Sequence, residues 1–169
     1  ELELYSPRTI IIQIGIVDCA PRKLSQREKE FVIAIPVDLL SRAVNHVMTR
    51  VRSRSRQRAY VPKDRYQENL KGFLKRASNE SVENVVIVKI LTAGDDYTQK
   101  NPTVGEAIRD YNAVIDDIDD TFEFVTALRP LSDDGEAERE VVDEHTIDDG
   151  YHLNRKGHER LFERLRAVL

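Results

Sequence analysis

Residues Thr9-Ile10-Ile11-Ile12-Gln13-Ile14-Gly15 form a nearly unbroken β-branched run that ends in glycine. β-Branched side chains lose rotamer freedom in a helix and pack well on a pleated surface. A run with so little polar alternation suits a strand covered on both faces of a parallel sheet, and it predicts a central strand. Val85-Val86-Ile87-Val88-Lys89-Ile90-Leu91 and Phe122-Glu123-Phe124-Val125-Thr126-Ala127-Leu128 are two further strand-length apolar runs, each followed by turn or loop residues. Between the first two runs lies a long helical region broken at Pro36 and Pro62. Its last piece, residues 64–77, sets Tyr66, Leu70, Phe73, Leu74 and Ala77 on one face at helical spacing. Residues 102–118 repeat the pattern with Val104, Ile108, Tyr111, Ile115 and Ile118. The alternation of strand and helix implies right-handed crossovers and an α/β fold with a parallel sheet covered by helices.

A terminal helix follows Asn154, which is expected to cap it, and carries Leu161, Leu165 and Val168 with Phe162 beside them. Residues 132–144 are acidic, contain a glycine and show no apolar period, so they are expected to form a mobile surface loop. A three-stranded parallel sheet whose first strand is apolar on both faces has an unprotected edge, which soluble proteins avoid. A strand upstream of residue 1, or a partner, is expected to cover it, and the chain is read as a single domain, 1–169, incomplete at its N-terminal side.

The 169 residues, 40% of them hydrophobic, suffice for one domain with a core of its own. A net charge of −4 with mixed signs along the chain exerts no global pull toward nucleic acid or anionic membrane. The one cysteine, Cys19, excludes an internal disulfide framework and favours a reducing, cytoplasmic setting. No stretch reaches the roughly 18 apolar residues of a membrane span.

Two segments carry chemistry. In Asp148-Asp149-Gly150-Tyr151-His152, entering the last helix, the carboxylate and imidazole are three residues apart. Asp149 can accept from one ring nitrogen of His152 while the other faces a cleft, which makes a general base; the competing reading is a structural histidine ahead of a helix cap. In Gln13-Ile14-Gly15-Ile16-Val17-Asp18-Cys19, a strand ends in glycine and turns to an acidic position at the carboxyl edge of the sheet, where open α/β sheets bind ligands. Here the alternative is that Gly15 only turns the chain and Asp18 only orients the loop.

Together the two segments resemble the SGNH hydrolase superfamily, the GDSL esterases and lipases. Gly15-Ile16-Val17-Asp18 is similar to the family's Gly-x-Asn-Asp block, and Asp149-Gly150-Tyr151-His152 to its Asp-x-x-His block before the last helix. Residues 66–74 and the pair Tyr111-Asn112 resemble the helices before its later strands, so the likeness covers essentially the whole chain. The wording Gly15-Ile16-Val17-Asp18-Cys19-Ala20-Pro21-Arg22 resembles a subgroup associated with surface polysaccharides. The resemblance implies a flavodoxin-like three-layer α/β/α sandwich and acyl-ester chemistry, with His152 as general base, Asp149 fixing its tautomer, and the loop of Gly15, Val17, Asp18 and Arg22 beside the oxyanion. It implies a carbohydrate or lipid O-acyl ester as substrate and requires no cofactor and no metal.

The sequence departs from the family pattern in two places. The Gly-Asp-Ser block belongs several tens of residues before Thr9, and no serine of this chain stands in such a context, so the nucleophile is expected upstream. Val17 replaces the asparagine whose amide would hold the oxyanion, a loss worth about 10²-fold or more in rate. A non-catalytic binding module and an O-acyltransferase of surface-glycan biosynthesis are therefore the competing functions. Arg50, Arg52, Arg54, Arg56 and Arg58 alternate in a run that suits either a solvated connection or a polyanion contact. His145, Asp148, Asp149 and His152 match no zinc spacing, Lys89 is expected to snorkel from its strand, and His46 and His158 are expected on helix surfaces.

Overall fold

The computed structural model describes residues 2–21 and 59–169. Arg22, His46, Pro36 and the arginine run from Arg50 to Arg58 lie outside the described residues. A short helical turn, α1 (Leu2–Tyr5), leads into strand β1 (Thr9–Gln13) and a second turn, α2 (Ile16–Cys19). Helix α3 (Lys63–Asn79), strand β2 (Asn84–Val88), the short α4 (Asp95–Lys100) and helix α5 (Val104–Asp119) follow. Strand β3 (Val125–Leu128), helix α6 (Gly135–His145) and helix α7 (Arg155–Val168) complete the order. The fold is mixed α/β around a three-stranded parallel sheet in the order β1-β2-β3. Ile12 stands opposite Ile87, and Val88 opposite Leu128.

Strand β2 is the centre. Val85, Val86, Ile87 and Val88 are all buried, each contributing roughly 1.5–3 kcal/mol relative to exposure. Its alternate side chains serve the two faces. Val85 and Ile87 join Ile115 and Ile118 of α5 and Leu70 and Leu74 of α3 in one cluster. Val86 and Val88 meet Leu161 of α7 together with Leu128 of β3 in another. Helices thus cover both faces, as the alternating apolar runs require. The helical spacing read from residues 64–77 and 102–118 corresponds to α3 and α5, which meet through Tyr66 and Tyr111, ring centroids 5.1 Å apart. Pro62 occupies the N-cap of α3, where its missing N–H costs the helix no hydrogen bond.

Three expectations need correction. The strand expected to be central, residues 9–15, is an outer strand among the described residues: it pairs with β2 alone, and Ile11 is 47% exposed. Its inner face, Ile10 and Ile12, packs on the α3–α5 side, but α7 reaches only β2 and β3 on the other, which leaves Ile11 uncovered. The expected loop at residues 132–144 is in fact helix α6 with its lead-in. Asp134 caps it by accepting from Glu136 N at 3.1 Å, acidic residues fill its first turn, favourable against the helix dipole, and its buried face carries Glu138 and Val142. The apolar period is hidden because the first inward position is a glutamate. Lys89 does not snorkel to solvent: its side chain is 10% exposed, its ammonium pairs with Asp116 of α5, and the residue lines the cleft at the carboxyl end of β1.

Candidate active site

The site loop is built between two helix ends. Asn154 Oδ1 accepts from Gly157 N at 3.1 Å at the start of α7. Its Nδ2 donates to Glu144 O at 2.8 Å and to Thr146 O at 2.9 Å beyond the end of α6. One side chain therefore satisfies backbone groups at both helix ends. The intervening loop closes by an isolated antiparallel bridge between Thr146 and Leu153 and by Ile147 N donating to His152 O at 2.9 Å. Gly150 turns it with φ of 74°, a left-handed conformation that glycine adopts without strain, and its carbonyl accepts from Gly94 N at 2.8 Å, which ties the loop to the segment after β2.

Within that frame Asp149 and His152 meet at 2.6 Å between Oδ2 and Nδ1. Asp149 Oδ1 also accepts from the backbone N–H of Tyr151 at 3.1 Å and of His152 at 3.0 Å. Desolvation pushes this carboxyl up, but the backbone N–H of His152, its ring and the N–H of Tyr151 outweigh that and hold it below the ordinary carboxylate value. An ionised Asp149 makes Nδ1 the protonated nitrogen of neutral His152 and leaves Nε2 as the acceptor. Tyr151 packs against the imidazole in a tilted pair at 4.4 Å between centroids, and Tyr97 against Tyr151 at 4.7 Å. The His152 side chain is 60% exposed.

His152 lines a cleft of about 480 Å³ shared with Gly15, Val17, Asp18, Ile90 and His158. The structure thus brings the two segments to one place, at the carboxyl end of β1. Gly15 has φ of 126°, and a Cβ there would sit 2.5 Å from Ile90 Cδ1, so a side chain would meet both backbone strain and a clash. Val17 is 54% exposed and brings no side-chain donor. Asp18 is half-buried, and its carbonyl accepts from Tyr60 N at 2.9 Å. Cys19 lies fully buried behind the turn, and desolvation above all pushes its thiol up to about 12, so it is held neutral.

No family model, curated protein or solved structure matches this chain.

Among the described residues, no group of three or more His, Cys, Asp and Glu side chains is placed to hold a metal ion. His145 Nδ1 instead lies 2.8 Å from the Val141 carbonyl and His152 is engaged by Asp149, so the four-residue grouping does not converge. His158, expected merely on a helix surface, is exposed on α7 but faces the cleft; its place one turn beyond His152's loop was the available signal. Sequence reading also missed Glu138 and Asn112. Asn112 is buried and pairs with the backbone of Ile90, donating to its carbonyl at 2.9 Å and accepting from its N–H at 2.8 Å. It thereby satisfies both backbone groups of a cleft-lining residue just beyond β2. Among the described residues no helix is long and apolar enough to cross a membrane.

Proposed function

We propose that the chain carries the general base and orienting acid of an SGNH/GDSL-type serine ester hydrolase acting on carbohydrate or lipid O-acyl esters, on a flavodoxin-like α/β/α scaffold. The observation that supports this most is the 2.6 Å bond from His152 Nδ1 to an ionised Asp149, on the wall of the cleft that also holds the Gly15–Asp18 turn. A serine supplied from outside the described residues, on a segment that joins the open side of β1, gives its proton to His152 Nε2 as its oxygen attacks the ester carbonyl. The imidazolium, stabilised by Asp149, then protonates the departing alcohol and leaves an acyl-serine. Water, deprotonated by the same nitrogen, releases the acid and restores the serine. Backbone amides of the Gly15–Val17 turn take the oxyanion in place of the side-chain amide that Val17 does not bring.

Val17 favours one other reading, a module that binds an acylated glycan without turning it over, because that position brings no side-chain amide to the oxyanion. Hydrolysis of p-nitrophenyl acetate by the full-length protein, beside a His152→Ala variant, separates the two. Activity lost in the variant supports the hydrolase. Activity that survives the substitution refutes His152 as the base, and no turnover by either protein favours the binding module or a transferase that needs its own acyl donor.

A further inference from the structure

Glu138 is a carboxylate with no exposed surface, yet it lies outside every residue pair that the acyl-transfer reading uses. Its partners come from two other parts of the chain. Oε2 accepts from Thr92 N at 3.2 Å and from Thr92 Oγ1 at 2.8 Å, both in the segment after β2. Oε1 accepts from Leu131 N at 3.3 Å in the segment after β3, and Arg129 Nη1 lies 4.0 Å from Oε2. Burying a carboxylate costs several kcal/mol unless it is hydrogen-bonded and paired, so a buried glutamate that gathers three donors and a guanidinium holds those groups tightly in one arrangement.

The two segments it grips are walls of the cleft: Ile90 and Leu91 come from the first, Pro130 from the second. Helix α6, which carries Glu138, ends at His145, and from there the chain passes directly into the Asp149–His152 loop through the Thr146–Leu153 bridge. Leu91, Leu131 and Val142 pack as a separate small cluster that joins the same two segments to α6. Two loops of the sheet edge and the helix that presents the imidazole are thus joined at one side chain.

We infer that Glu138 is a positioning residue of the cleft, setting where His152 stands relative to the ends of β2 and β3; this rests on the acyl-transfer reading for its effect on rate, but not for its effect on geometry. Loss of the carboxylate lets the loops and α6 shift independently, and misplacement of a reacting group by about 1 Å costs up to about 10²-fold in rate. The test is Glu138→Gln in the full-length protein, which keeps the volume but can accept with only one of its two end atoms. A second variant, Thr92→Val, removes one donor and leaves the carboxylate in place, and Ile118→Val in the far part of the core is the stability control.

For Glu138→Gln, kcat on p-nitrophenyl acetate is expected to fall about 10- to 100-fold with KM within about threefold. Thr92→Val is expected to give a smaller loss in the same sense, and Ile118→Val none. In each protein the ring resonances of His152 are followed by NMR through a pH titration. They are expected to move in Glu138→Gln and Thr92→Val and to stay in Ile118→Val. Unchanged His152 resonances in a folded Glu138→Gln protein, or in Thr92→Val if the first variant does not fold, overturn the inference. So does an Ile118→Val protein that shifts them equally. If the wild-type protein hydrolyses no ester, the hydrolase reading fails by itself, and the resonances still decide whether Glu138 positions the imidazole.

Discussion

The two outer strands of the sheet are finished in different ways. On β3 the outward N–H of Ala127 donates to Asp119 Oδ1 at 3.0 Å, so part of its free edge is closed by a side chain. Helix α7 lies against the same strand, with Leu161 on Leu128, and Arg164 adds a bond to the Arg129 carbonyl at 2.8 Å. On β1 the described residues supply no such finish. Ile11 and Ile14 are 47% and 48% exposed, and the strand's one flanking ion pair, Arg8 with Glu83, lies at its start. Soluble proteins blunt an outer strand with charge, cover or a side-chain cap. The β3 side has these devices and holds the Asp149–His152 loop steady; the β1 side carries the Gly15–Asp18 turn and stays apolar and open. Edge protection is therefore concentrated on one side of the sheet and exposed apolar surface on the other.

The sharpest way to break this contrast is a matched pair of truncations. Leu161→Ala, on the covered side, is expected to lower stability by about 2–5 kcal/mol, and Ile11→Ala, on the open side, by under about 1 kcal/mol. Urea unfolding followed by circular dichroism measures both, and equal losses would mean that β1 is as well packed as β3. A smaller effect is expected at the side-chain cap. Asp119→Ala orphans the Ala127 N–H and is expected to cost about 1–3 kcal/mol, with faster amide exchange at Ala127; exchange at the wild-type rate would show that solvent already reaches that edge.

The smallest effect concerns acid. The folded-state carboxyl of Asp149 titrates below its ordinary value, so its contribution is present above the unfolded value of about 4 and is lost as pH falls through the folded one. The gap in melting temperature between wild type and Asp149→Asn is therefore expected to be widest near neutral pH and to shrink below about pH 4. Because the pair is largely solvated, the gap is small at every pH. A gap that does not change with pH would remove the hydrogen-bonded ionised carboxylate from the account of the site.

What the sequence determined by itself was local. The switch between strand-length β-branched runs and helical spacing specified an α/β chain, because a period of 2 or 3.6 is set by the backbone alone. Asn154 as the cap of α7, and Asp149 within reach of His152, were legible because their partners lie three residues away. Only the tertiary structure decided the rest. Helix α6 was hidden because its inward position at Glu138 is charged, and a charge reads as surface until its partners are known. Those partners, Thr92 and Leu131, lie 46 and 7 residues away and come together only when β2 and β3 align. The run at residues 9–15 signalled an unprotected edge yet read as a central strand, since an apolar run reports what could be covered and not what covers it. Pairing across a sheet and satisfaction of a buried carboxylate depend on distant donors, and composition and spacing along the chain do not encode where those donors fall.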